Sequence, residues 1–126
     1  MADHPHPVDP GRVAQARARA LGGEEAGRLV GMLGLLADPT RTRILYALDT
    51  VDELCVGDLA MALDATEDSV GYGLRVLRTA GLVTFRKEGR TVYYRLADGF
   101  PDALREHCLR VLARLARGTD GADEDG

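Results

Sequence analysis

The stretch Leu82–Leu96, LVTFRKEGRTVYYRL, decides the fold of this chain. Val83 and Phe85 alternate with Thr84 and Arg86, while Val92, Tyr94 and Leu96 alternate with Thr91, Tyr93 and Arg95. A period of two places alternate side chains on opposite faces of a strand. The stretch therefore predicts a hairpin of two strands joined at a short charged tip, Glu88-Gly89-Arg90.

Everything around the hairpin has helical spacing. Just before it, Val70, Leu74 and Leu77 mark the inner face of a helix that Thr66 caps and Gly81 stops. ELCVGDLA, residues 53–60, belongs to a further helix with Leu54, Leu59 and Leu63 among its apolar positions, ending near Asp64. TRTRILYALDT, residues 40–50, forms another. Pro39 suits its first turn and disfavours helical geometry at Asp38, so the preceding helix ends there. That preceding helix starts at Glu24, and Ala26, Leu29, Val30, Leu33, Leu36 and Ala37 give it one stripe expected to be buried. Beyond the hairpin, Pro101–Arg117 is expected to be helical, with Leu104, Cys108, Val111, Leu112 and Leu115 on one side.

The ends have a different character. Proline, histidine and aspartate crowd the first ten residues, GRVAQARARALGG after them has a helical composition, and GTDGADEDG closes the sequence. The expected organisation is a disordered tail with an extra helix over 1–23, one folded domain over 24–117 and a disordered acidic tail over 118–126. With 126 residues, 45% of them hydrophobic and no tryptophan, the chain can bury one modest core of Leu, Val and Ala. No apolar run is long enough for a membrane span and no signal pattern opens the chain, so a cytoplasmic protein without membrane contact is expected. Two cysteines far apart in the sequence read as free thiols rather than a disulfide framework.

Helices followed by a helix reached through a short turn and then a hairpin are the layout of a winged helix-turn-helix. The fold class is thus mainly α with a β-hairpin wing and about five helices, the helix from Thr66 entering a major groove and the wing reaching the neighbouring backbone. Charge agrees. The net charge is −4, yet Ser69–Arg95 carries six cations (Arg75, Arg78, Arg86, Lys87, Arg90 and Arg95) against Glu88 alone, which leaves −9 for the rest. A glycine-rich phosphate loop, a nucleophile motif and a convincing acid/base pair are all missing, so an enzyme is not expected.

LADPTRTRILYAL, ELCVGDLA, LRVLRTAGLV and FRKEGRTVYYRLAD, in this order, resemble the landmarks of the ArsR/SmtB family of metal-responsive repressors over Leu29–Leu115. The resemblance implies a homodimer built from the first and last helices of the domain, binding to double-stranded operator DNA in the metal-free form, and release when an effector binds. By position in the motif it assigns DNA contacts to Thr66, Ser69, Tyr72 and Arg75 on the helix, with Arg78 on the same amphipathic face, and to Arg86, Lys87, Arg90 and Thr91 on the wing. Gly71-Tyr72-Gly73 departs from the family, which usually has a serine, a polar residue and often a histidine there. That departure, with Glu67 and Asp68 nearby, keeps a dimeric interaction domain without DNA binding as the competing class.

For the effector, the family's site on the last helices is broken: Asp98 remains, but Phe100, Val111 and Arg114 stand at its other positions. The site usually written Cys-Val-Cys-Asp-Leu keeps Cys55 and Asp58, three apart and expected on one helix face, with Gly57 in place of the second cysteine. One thiolate and one carboxylate are too few for tetrahedral zinc. Cys108 and His107 are the candidates to complete the metal site, with His4 and His6 further options. A donor set dominated by two sulfurs suits a thiophilic ion, mercury ahead of cadmium, lead, arsenite or zinc. The Ala-, Arg- and Gly-rich composition is also similar to actinobacterial members of the family, some of which regulate mercury resistance. The alternative is thiol-redox or persulfide sensing by the same two cysteines, a direct disulfide requiring Cα atoms roughly 4.4–6.8 Å apart.

Overall fold

The computed structural model describes residues 5–118. The expected acidic tail beyond Gly118, and His4, lie outside the described residues. The chain divides into two compact units, Met1–Gly34 and Leu35–Gly126.

In the first unit, α1 (Pro10–Ala18) has Pro10 at its start and Asp9 as N-cap, whose carboxylate accepts from the Arg12 amide at 3.0 Å. The helix α2 (Gly23–Leu36) begins in that unit with Glu24 and Glu25 in its first turn. Of the stripe predicted for α2, Ala26 and Leu36 are half-buried, and its middle is open among the described residues. Leu29, Val30 and Leu33 are 45%, 67% and 48% exposed.

The second unit holds the core. At its start, Asp38 caps α3 (Pro39–Val51) through the Arg41 amide at 2.9 Å, with Pro39 at the first position. Two residues then form β1 (Leu54–Cys55), followed without a gap by α4 (Val56–Leu63), and a turn through Asp64 in the left-handed region leads to α5 (Glu67–Thr79). Arg43 on α3 donates to the Leu63 carbonyl at 2.6 Å, satisfying an orphan group at the end of α4. Gly81, at φ 82°, ends α5 as expected and starts the wing, β2 (Val83–Glu88) and β3 (Thr91–Leu96). Gly89, at φ 64°, supplies the positive φ that a two-residue hairpin turn demands.

The expectation of a helix across all of ELCVGDLA is corrected: Leu54 and Cys55 are extended and pair with Tyr94 and Tyr93. The wing is consequently a three-stranded antiparallel sheet in the order β1-β3-β2 rather than a hairpin alone. Cys55 is the N-cap of α4 and Asp58 lies in its first turn, so the helix expected to carry both begins only at Val56.

The core is formed by Ile44, Leu45 and Leu48 of α3, Leu59 and Leu63 of α4, and Val70, Leu74 and Leu77 of α5. Leu82, Val83 and Leu96 close it from the sheet. Removing a fully buried leucine such as Leu74 leaves a cavity and costs about 2–5 kcal/mol. The last helix, α6 (Leu104–Leu112, with helical residues on either side), is π-wound and packs on α3. Winding with i→i+5 bonds changes which residues stack: Leu104 and Leu109, five apart, are buried, whereas Leu112 and Leu115 of the predicted stripe are exposed. Asp49 on α3, whose side chain is only 8% exposed, fastens α6 by accepting from Arg105 at 2.7 Å and Arg110 at 3.1 Å.

Candidate nucleic-acid interface and effector cysteines

The helix α5 is strongly two-sided. Val70, Leu74 and Leu77 face the core, and Ser69, Tyr72, Arg75 and Arg78, three residues apart, form an exposed row on the other side. Thr66 acts as the predicted cap, its hydroxyl accepting from the Ser69 amide at 3.0 Å, and Glu67 and Asp68 in the first turn complement the helix dipole. The Arg75 guanidinium lies 5.9 Å from the Tyr72 ring centroid, and that of Arg78 lies 4.3 Å over Phe85 of β2, stacking the row against the wing.

The two unusual glycines of α5 have different reasons. A Cβ on buried Gly73 would stand 2.9 Å from Ile44 Cδ1 and 3.6 Å from Arg41 Cγ, so any side chain there would have to displace the Ile44 side chain of α3. Nothing lies within 4 Å of the same position on Gly71. Gly73 is thus placed by packing against α3, while Ser69, Tyr72 and Arg75 stay exposed.

On the wing, Lys87 and Arg90 at the tip are exposed, and neither makes an ion pair among the described residues, while Thr91 is half-buried beside them. Arg86 differs. Its Nε donates to both Glu53 oxygens at 3.1 Å, its Nη2 to Glu53 Oε1 at 2.6 Å and its Nη1 to Glu88 at 2.6 Å. The Arg86 hydrogen bond, opposed by a smaller desolvation effect, holds the Glu53 carboxyl below the usual carboxylate range; the same pairing raises Arg86.

The cysteines are both free and half-buried. Cys55 sits at the junction of β1 and α4, with Asp58 exposed in the first turn of that helix. Cys108, on α6, packs against the core, and His107 beside it is exposed. The helix α6 lies on α3, neither β1 nor α4 is among its main packing partners, and no disulfide joins the two thiols. Among the described residues no group of three or more His, Cys, Asp or Glu could hold a metal ion. The described residues of one chain thus do not fit four-coordinate zinc. His6 lies in the other unit, where it lines a shallow pocket with Asp9 and Arg12. A Cβ on Gly57 would meet only Glu67 Oε2, at 3.7 Å, so the position that the missing cysteine would take is sterically open.

Two groups escaped sequence reasoning. Glu53 and Asp49 look like ordinary helix-end acids until the pairing of β1 with β3 and of α6 with α3 brings arginines to them. No local signal marks either.

Helices α3 to α5 around one core, with a basic wing, define a winged helix-turn-helix protein. Residues 38–84 match the bacterial regulatory protein, arsR family. The regulator CmtR of Mycobacterium tuberculosis is 43% identical over 91 residues, 71% of this chain and 70% of that protein. The chain belongs to the arsR family, whose members are transcriptional regulators and not enzymes. The arsenical resistance operon repressor of Escherichia coli is 40% identical over 72 residues, 57% of this chain and 62% of its own length. Several curated relatives are thus matched over only about half to two thirds of their length. Among solved structures, the AntR antimony-specific transcriptional repressor superposes with a TM-score of 0.63 at 25% identity, covering 100% of this chain and 99% of that one. No helix among the described residues is long and apolar enough to cross a membrane.

Proposed function

We propose that this protein is a cytoplasmic, homodimeric repressor that holds operator DNA in its metal-free form and releases it when a thiophilic ion is captured by cysteine. The exposed row on α5 reads base edges, and Lys87 and Arg90 neutralise phosphates, which supplies affinity without sequence information. The apolar faces left open on α2 and near the end of α6, Leu29, Val30 and Leu33 with Leu112 and Leu115, are the surfaces a second copy covers.

The observation that carries the reading is the position of Cys55. Its strand is hydrogen-bonded to the central strand of the wing, so whatever binds the thiol acts next to the DNA-contacting hairpin. Cys108 of one subunit completes the Cys55 site of the other, with Asp58 and His107 as the oxygen and nitrogen donors within reach. Each thiol gives up its proton to solvent on binding the ion. Two sulfurs suit mercury(II) first, and relatives named for arsenical resistance and for antimony support a thiophilic effector.

A gel-shift titration on the DNA upstream of the gene, with Hg(II), Cd(II), Pb(II), Zn(II), arsenite and a thiol oxidant, tests the reading in wild type, Cys55→Ser and Cys108→Ser. Release by a thiophilic ion that either serine variant abolishes supports it. Release by the oxidant alone transfers the cysteines to redox sensing, and a protein that binds no DNA is the interaction domain instead.

A further inference from the structure

Of the three cations near the wing tip, Arg86, Lys87 and Arg90, Arg86 alone is held by carboxylates among the described residues. Its guanidinium also lies 4.6 Å over the Tyr93 ring centroid. The register explains why these groups meet: Arg86 pairs with Tyr93, and Tyr93 pairs with Cys55. Cross-strand partners share one face of a sheet, so Cys55, Tyr93 and Arg86 form a single row across three strands. Glu53, two residues before Cys55, closes the row from the far side.

The backbone entering this row is itself unusual. Asp52 has φ 75° and ψ −56°, and the Glu53 amide donates to the Val51 carbonyl at 2.9 Å, a tight γ-turn of positive φ that is strained for any residue but glycine. Such strain persists only where the surroundings hold it, and it is what swings Glu53 from the end of α3 toward the wing.

We infer that Glu53 is a positioning residue that latches Arg86 onto Tyr93 beside Cys55, making β1 and the wing one unit, and that Arg86 sets the wing's angle rather than touching phosphate. This rests on the proposed capture of an effector at Cys55 and adds the route by which capture reaches the DNA. An ion on the Cys55 sulfur brings bulk and a Lewis-acidic centre against the ring that carries the guanidinium. It displaces the ring from under Arg86 and competes for the Glu53 carboxylate, so the latch opens only in the loaded state, which is the differential contact that coupling requires.

Two measurements test it, with Hg(II) alone as the probe. In the DNA-free protein, the Arg86 Nε–H signal in ¹⁵N NMR spectra, assigned by its loss in Arg86→Lys, should be displaced in Glu53→Gln and by one equivalent of Hg(II) in wild type, but not by Hg(II) in Cys55→Ser. A signal indifferent to Glu53→Gln, unmoved by Hg(II) in wild type, or moved equally in Cys55→Ser overturns the latch. On operator DNA, Arg86→Gln should leave the slope of log affinity against log salt unchanged, whereas removing a cation that neutralises a phosphate would reduce it by about 0.9, and that result also overturns the assignment. The NMR measurement uses no DNA, so it decides the latch whatever the operator titrations say of repression.

Discussion

Gly71 and Gly73 stand two residues apart in α5 and should respond to alanine in opposite directions. In a helix interior, alanine is favoured over glycine by about 0.8–1 kcal/mol. At Gly71 the new methyl meets nothing within 4 Å, so Gly71→Ala should collect that whole difference, about 1 kcal/mol of added stability. At Gly73 the methyl would stand 2.9 Å from Ile44 Cδ1, and Ile44, at 0% exposure, has no solvent to move into. Overpacking of this kind costs about 1–3 kcal/mol, so after the propensity gain Gly73→Ala should destabilise by about 0–2 kcal/mol. The decisive comparison is made in Ile44→Val, which removes the obstructing carbon at about 0.5–1.5 kcal/mol. In that background Gly73→Ala should become as favourable as Gly71→Ala, a coupling of about 1–3 kcal/mol between touching residues. Urea denaturation followed by circular dichroism, at one fixed protein concentration because a dimer's stability depends on it, measures all four variants. If Gly73→Ala stabilises the wild-type protein, or if its effect is the same with Ile44 and Val at position 44, the close crossing of α3 and α5 is not what the glycine serves.

Further outcomes follow from other parts of the molecule. Lys87→Ala and Arg90→Ala should each weaken operator binding and reduce the salt slope by about 0.9, measured by fluorescence anisotropy at several salt concentrations; unchanged slopes would remove the wing from the DNA interface. Asp49→Asn should cost about 1.5–3 kcal/mol, because it takes charged hydrogen bonds away from a nearly buried acceptor. The Arg110 hydrogen bond, partly opposed by desolvation and reinforced by Arg105, holds the Asp49 carboxyl below its ordinary value. Its stabilisation is therefore complete above the unfolded value near about 3.9 and is lost as pH falls through the lower folded one, so the acid unfolding limb of the wild type should flatten in Asp49→Asn. Gly57→Cys should fold normally, since the position is open, and should tighten Cd(II) binding in competition with a chromophoric chelator by supplying a second thiolate beside Cys55. No gain over wild type there would show that Cys55 does not lie in a site.

The parts of this fold legible in the sequence are those that local chemistry dictates. Thr66, Asp38 with Pro39, Gly81 and Gly89 mark boundaries because caps, fixed φ and positive φ act within a few residues, and the structure uses all of them. The two-residue strand Leu54–Cys55 was not legible: it is too short to show a period and is defined only by Tyr93 and Tyr94 on a strand far along the chain. The apolar side of α6 is legible only in part: Leu104 and Cys108 pack on the core as expected, but spacing arguments assume 3.6 residues per turn, and the π-wound segment pairs Leu104 with Leu109 and leaves Leu112 and Leu115 exposed. The stripe of α2 is legible as apolar, yet periodicity cannot say which of its residues the fold covers: Leu36 is half-buried while Leu29, Val30 and Leu33 are exposed. Of the site, the exposed face of α5 and the cations of the wing were visible as a charge pattern. Glu53 and Asp49 were not, since a carboxylate acquires its role from whichever arginine the tertiary fold brings to it.

The central claim is that Cys55 connects ion capture to the release of DNA. The ratio of operator dissociation constants with and without one equivalent of Hg(II), measured by fluorescence anisotropy for wild type and Cys55→Ser, tests it most directly. The account predicts a weakening of about 5–150-fold in wild type that disappears in Cys55→Ser while ion-free affinity is retained. A wild type whose affinity ignores Hg(II), or a Cys55→Ser protein that releases DNA as readily, would contradict it.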